Sequence, residues 1–178
     1  MTLDEARIHC EVTDFLQRAD KDEPDANMVV TARSLEDGSH IPLSCFGSNI
    51  WVLPNALFPH YAADHEKRMN FDRVPLIFQR ILKIMVLRFY FYGLEGSVRP
   101  RGSTVIQFFS NASVFLRFLE QQGFDRLDRV NTLLTSQYVE TCRSKINSQS
   151  GKHLSATTLS RRFSALEMIH QLSRHSFD

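Results

Sequence analysis

Between Ser103-Thr104 and Gly123, the residues Val105, Phe108, Phe109, Ala112, Phe115, Leu116 and Leu119 recur at intervals of three and four. That period puts all seven on one face of a helix, and a face so aromatic has to be buried against other elements. Ser103 and Thr104 read as the capping hydroxyls that open this helix, and Gly123 as its C-cap. A second apolar run starts at Phe71, with Asp72 as N-cap and Pro75 in the first turn, where proline is tolerated. Its Phe78, Ile81, Leu82, Met85, Phe89 and Tyr90 present more apolar surface than one helical stripe uses. A third set, Leu159, Phe163, Leu166, Ile169 and Leu172, follows Ser155 at the same period. The expected helices span residues 74–92, 104–122, 136–147 and 156–174.

The first third of the chain has a different texture. Residues 3–18 pattern as a short amphipathic helix, and Asp20-Lys21-Asp22-Glu23-Pro24-Asp25 reads as an exposed acidic break. Residues 28–35, 41–46 and 50–53 are rich in β-branched and apolar residues and are separated by turn-forming Glu36-Asp37-Gly38-Ser39 and Gly47-Ser48-Asn49. They predict a short antiparallel β-meander. Pro54, Pro59 and the polar residues 64–68 mark a linker. A three-stranded meander is marginal on its own, so Trp51, Val52 and Leu53 are expected to pack on the 74–92 helix and make one body with the helices. The fold class is therefore mainly α: a four-helix unit over residues 70–178, preceded by a small α+β extension over residues 1–69.

Fourteen phenylalanines and 43% hydrophobic residues in 178 imply a folded core. The net charge of +1 hides an asymmetry. Residues 1–96 carry ten Lys/Arg against fourteen Asp/Glu, whereas residues 97–178 carry eleven against six. A basic second half suits nucleic-acid binding confined to that half. Cys10, Cys45 and Cys142 are widely spaced and odd in number, which points to reduced thiols and a cytoplasmic setting, with neither disulfide framework nor zinc site. Residues 1–11 carry charges where a signal peptide needs an apolar region. The greasiest run, residues 81–92, is interrupted by Lys83 and Arg88 and is too short to span a bilayer, so no membrane association is expected.

Ser155-Ala156-Thr157-Thr158-Leu159-Ser160-Arg161-Arg162-Phe163-Ser164-Ala165-Leu166 opens with capping hydroxyls and sets two arginines in the second turn. A helix N-terminus attracts phosphate, and arginines one turn on add charge-assisted bonds to the same backbone. This segment resembles the last helix of the core-binding domain in the tyrosine recombinase (phage integrase) family, whose pattern is Ser-Ala-x-Thr-hydrophobic-x-Arg-Arg-hydrophobic-Ser-Ala-Leu. Thr104, Phe108, Asn111, Phe115, Leu116, Phe118, Leu119 and Gly123 resemble the first strongly patterned helix of the same domain. Residues 127–130 resemble its short link into a third helix. The likeness covers residues 71–172. Glu167 departs from it, since the family more often has a basic residue there.

The resemblance implies a SAM-like helical fold, an arm that clamps the double-stranded DNA of a recombination site, and contact with other recombinase protomers on that DNA. It implies a place in DNA integration and recombination of a mobile element, in the bacterial cytoplasm or nucleoid. Strand cleavage belongs to a separate catalytic domain. His65-Glu66-Lys67-Arg68 and His170-Gln171-Leu172-Ser173-Arg174-His175-Ser176 approach that domain's histidine motif, but the first precedes the DNA-binding helices and the second ends the last one, with no nucleophilic tyrosine in order after either. The chain itself is therefore expected to hold no catalytic residue, cofactor or metal. His60, Asp64, His65 and Glu66 fit no standard zinc spacing, and no nucleophile elbow or Gly-rich phosphate loop is present.

The residues expected at DNA are Arg99, Arg101, Ser103, Thr104, Gln107, Asn111 and Arg117 around one helix, and Lys152, Ser155, Thr157, Thr158, Arg161 and Arg162 around the other. Amide side chains such as Gln107 and Asn111 can read base edges in a major groove. Two alternatives stay open: a helix-turn-helix regulator, with Thr157 to Phe163 as recognition helix, and a helical protein-interaction module that binds no nucleic acid. The first needs a turn of roughly three to four residues, shorter than the stretch 147–155 with its Ser148-Gln149-Ser150-Gly151.

Overall fold

The computed structural model describes residues 3–18, 23–37, 39–146 and 151–174. The chain is mainly helical, with its strands confined to the first 70 residues. Helix α1 (Leu3–Arg18) is followed by β1 (Val29–Ser34), β2 (His40–Cys45) and β3 (Ile50–Val52). A short β4 (Arg68–Asn70) leads into α2 (Leu76–Tyr92), α3 (Gly102–Gln121), α4 (Thr132–Ser144) and α5 (Ala156–Arg174).

The strands do not form one meander. β1 and β2 make an antiparallel hairpin, and β3 pairs instead with β4, which lies at the end of the stretch expected to be linker. The reason is visible at Val52. Its N–H donates to Ser44 Oγ at 2.8 Å, and its carbonyl accepts from Thr31 Oγ1 at 2.7 Å. Two buried hydroxyls thus satisfy the backbone groups that a continuing ladder would need.

The helix starts show what local chemistry decides. Pro75 is itself the N-cap of α2, and Val74 before it is extended (φ −104°, ψ 135°), because the proline ring disfavours helical geometry in the preceding residue. Asp72 therefore does not cap α2. Its N–H donates to Asn70 Oδ1 within the 3-10 turn Phe71–Arg73. Helix α3 begins at Gly102 with Arg101 as N-cap and no side-chain cap, so Ser103 and Thr104 lie inside the first turn. A Cβ at position 102 would come within 2.6 Å of the Phe58 ring, which is why glycine stands there. At the other end Gly123, at φ +78°, closes a Schellman motif: its N–H reaches the Glu120 carbonyl and that of Phe124 reaches Leu119. Helix α4 starts earlier than residue 136, because Asn131 caps it by accepting from Leu134 N at 3.0 Å. It ends at Ser144, with extended Lys145 as C-cap, short of the expected end at Asn147. Only α5 begins as the hydroxyl pattern foretells, with Ser155 Oγ accepting from Thr158 N at 3.2 Å.

Helix α2 is the centre of the molecule. Every residue from Leu82 to Tyr90 is buried, including Lys83 and Arg88. Such a helix, enclosed all round, belongs in a core. It packs against α1, α3 and α5. A train of edge-to-face rings, Phe15, Phe46, Trp51, Phe71 and Phe109, joins α1, the strands and α3 at centroid separations of 4.8–5.9 Å. Residues on both sides of position 70 thus share one hydrophobic core.

Candidate nucleic-acid interface

Helix α5 presents its N-terminus to solvent. Ser155, Ala156 and Thr157 are exposed, and the Ser155 and Thr158 hydroxyls lie 2.9 Å apart across the cap. An antiparallel bridge between Ile146 and His153 brings the end of α4 beside this start. Lys145 and Lys152 flank that bridge, both exposed. Lys145 was not expected at the site. Nothing local marks it, since only the bridge folds it back toward α5.

The two neighbouring arginines of α5 part company. Arg161 is exposed and forms no ion pair among the described residues. Arg162 turns inward and its Nη1 donates to Cys142 Sγ of α4 at 3.5 Å. Next to it stands Tyr138, buried between Phe115 and Phe118. Burial first, and the adjacent Cys142 thiol second, push the Tyr138 hydroxyl pKa up, while Arg162 and Arg117 pull against that rise. Arg117, which is exposed, also donates through Nε to the Ser113 carbonyl at 3.2 Å.

The residues around the start of α3 form a separate group. Arg101 lies sixteen residues before Arg117, about 24 Å along the helix at ~1.5 Å per residue. Arg101, Ser103 and Thr104 are exposed, but no hydroxyl caps the helix there. Gln107 and Asn111 are half-buried, and the Asn111 amide donates to the Gln107 carbonyl at 2.8 Å. Arg99 folds back instead of reaching forward. Its Nε donates to the Tyr90 carbonyl at 3.1 Å and its guanidinium lies 4.8 Å from the Tyr90 ring and 5.8 Å from Phe91.

Local pairing shapes the charge of this half. Asp125 pairs with Arg129, Asp128 with Arg126 and Glu140 with Arg143. The first two pairs hold the turn before α4, and the Arg126–Asp128 contact lowers the pKa of the carboxyl and raises that of the guanidinium. Those carboxylates are engaged by neighbours in sequence, which leaves Arg101, Arg117, Lys145 and Arg161 without an ion pair among the described residues.

Among the described residues no group of three His, Cys, Asp or Glu side chains is placed to hold a metal. Near His60 and His65, Glu66 accepts from Ala63 N and Asp64 accepts from Lys67 Nζ, so those carboxylates serve a turn. No helix of the described residues is long and apolar enough to cross a membrane. The end of the 170–176 motif, His175-Ser176, lies outside the described residues. The chain matches no protein-family model, no curated protein and no solved structure.

Proposed function

We propose that this chain binds duplex DNA through the start of α5, as the non-catalytic, core-binding arm of a tyrosine-recombinase-like integrase. The observation that carries the reading is the Ile146–His153 bridge, which sets Lys145 and Lys152 beside a hydroxyl-capped helix N-terminus with Thr157 and Arg161 exposed. Backbone N–H groups at such a terminus and the cations around it are the two ingredients of phosphate recognition. Arg117 adds a further exposed cation on α3. Arg162 has a different task, holding α5 to α4 through Cys142. The loop closed by the bridge is longer than a helix-turn-helix turn, so the regulator reading is not favoured. Other protomers would be neighbours on the same DNA, and strand cleavage would need a catalytic set that these residues lack.

Fluorescence anisotropy with a labelled duplex tests this reading. Binding is expected at low salt, and Lys145→Gln with Arg161→Gln should reduce the slope of log affinity against log salt by about 0.9 for each phosphate no longer neutralised. Arg162→Ala should cost stability while leaving that slope nearly unchanged. No binding at low salt, or an unchanged slope in the double variant, would sink the proposal in favour of a protein-interaction module. Supercoiled plasmid should be neither nicked nor relaxed by the purified chain.

A further inference from the structure

A cleft of about 590 Å³ opens between α1, strand β1, the turn after β3 and the end of α2. Its size falls inside the roughly 300–1,000 Å³ of small-molecule sites. The lining is chemically one-sided. Arg33, Arg99, His9 and His40 all face it, and among the described residues no Asp or Glu does. Ile8, Val30, Ala56 and Leu57 supply apolar walls.

Arg99 is held ready in this cleft. Its Nε bond to the Tyr90 carbonyl and its position over the Tyr90 and Phe91 rings hold the guanidinium, while neither Nη is engaged by a carboxylate among the described residues. A guanidinium pinned by one nitrogen offers its remaining donors as a fork to an anion, and its outer face to a flat ring. His9 lies 5.3 Å from Phe91 and 6.4 Å from Tyr92, so it shares the Phe91 ring with Arg99. Arg33, on β1, also lines the cleft and is exposed and without an ion pair among the described residues. Strand β1 carries a ladder on one side only, through β2. Among the described residues the cleft is thus lined by donors, cations and apolar surface, with no carboxylate facing it.

We infer that this cleft binds a small molecule joining an anionic group to a planar ring, the chemistry shared by nucleotides and aromatic carboxylates. The anion would sit between Arg33 and Arg99, and the ring against the Arg99 plane and the apolar wall. This inference is independent of DNA binding by α5, since Arg33 and Arg99 take no part in that surface.

Isothermal titration calorimetry on the full chain decides it. The probes are ADP and indole-3-acetate as whole ligands, with adenosine, indole and inorganic phosphate as their parts. At least one whole ligand should bind about tenfold more tightly than either of its parts, as expected when a charge-assisted bond and ring burial act together. Preference for ADP or for indole-3-acetate then identifies the source of the anion. Arg33→Gln, on an exposed strand position, should weaken the preferred ligand about tenfold, and Arg99→Gln, checked for folding by circular dichroism, should do the same. Arg161→Gln should leave binding unchanged. Whole ligands binding no better than their parts, or an Arg33→Gln variant with wild-type affinity, would overturn the inference.

Discussion

Lys83 carries its ammonium into the core of α2, where it donates to the Phe46 carbonyl at 2.7 Å and lies 5.1–5.7 Å from the rings of Phe46, Trp51 and Phe71. Only 6% of it is exposed. Burial lowers its pKa from 10.5, with the Asp72 carboxylate opposing. The aromatic faces and the carbonyl offset part of the desolvation cost. Lys83→Met leaves that carbonyl without its ammonium donor and is expected to cost about 1–3 kcal/mol at neutral pH. Between the lowered folded value and 10.5 the unfolded chain binds more protons at this site, so wild-type stability rises with pH across that window. Lys83→Met lacks the effect. The gap between the two melting temperatures should therefore widen as pH approaches 10.5, and a constant gap in calorimetric scans would contradict the account.

At the scale of elements, α3 and α5 look alike in sequence and start differently. Both open on serine and threonine, yet only Ser155 accepts a backbone N–H. Ser155→Ala should cost about 1 kcal/mol, the usual worth of a hydroxyl cap. Ser103→Ala, inside the first turn, should change stability by only a few tenths of that, since surface substitutions away from special features fall within about ±0.5 kcal/mol. Urea denaturation of the two variants side by side gives the comparison, and equal losses would mean that α3 is capped by Ser103 in solution. Asn131→Ala should behave like Ser155→Ala, because its side chain caps α4. The cost falls on the helix whose end is held by the Ile146–His153 bridge, so under the proposed DNA-binding role the affinity for duplex should drop with it.

For the whole molecule, the two stretches that differ in sequence texture depend on one core. Trp51, Phe71 and Phe109 meet edge to face in succession, and Arg88 of α2 donates to the carbonyls of Leu16 and Leu172, tying α1 and α5 to the central helix. Proteolysis between Pro54 and Met69, followed by purification of residues 71–178, should yield a fragment that melts well below the full chain. Trp51 and Leu53 are almost completely buried, and removing them uncovers the side of α2 and α3 they close. Deleting a large buried side chain from a core typically costs about 3–5 kcal/mol. A fragment that keeps the full-length melting temperature would show the helices to be self-sufficient.

The sequence by itself determined the elements whose signal is periodic. The spacing of Val105 to Leu119 and of Leu159 to Leu172 is a property of neighbouring residues, so the α3 and α5 helices and the buried face of α3 could be read directly, while on α5 Ile169 and Leu172 are buried and Leu159, Phe163 and Leu166 half-buried. Helix α1, the hairpin turns and the Gly123 stop belong to the same local class. Tertiary structure decided the rest. The pairing of β3 with β4 depends on Thr31 and Ser44 reaching Val52, and the start of α3 depends on Phe58 leaving no room for a side chain at Gly102. Arg161 and Arg162 are adjacent in the chain, but a turn of about 100° per residue sends one to solvent and the other to Cys142. Arg99 was drawn back onto Tyr90 and Lys145 was brought beside α5 by contacts across the fold. Periodicity reports which face of an element is buried, whereas the partner that buries it is chosen by shape and hydrogen bonding between residues far apart in the chain.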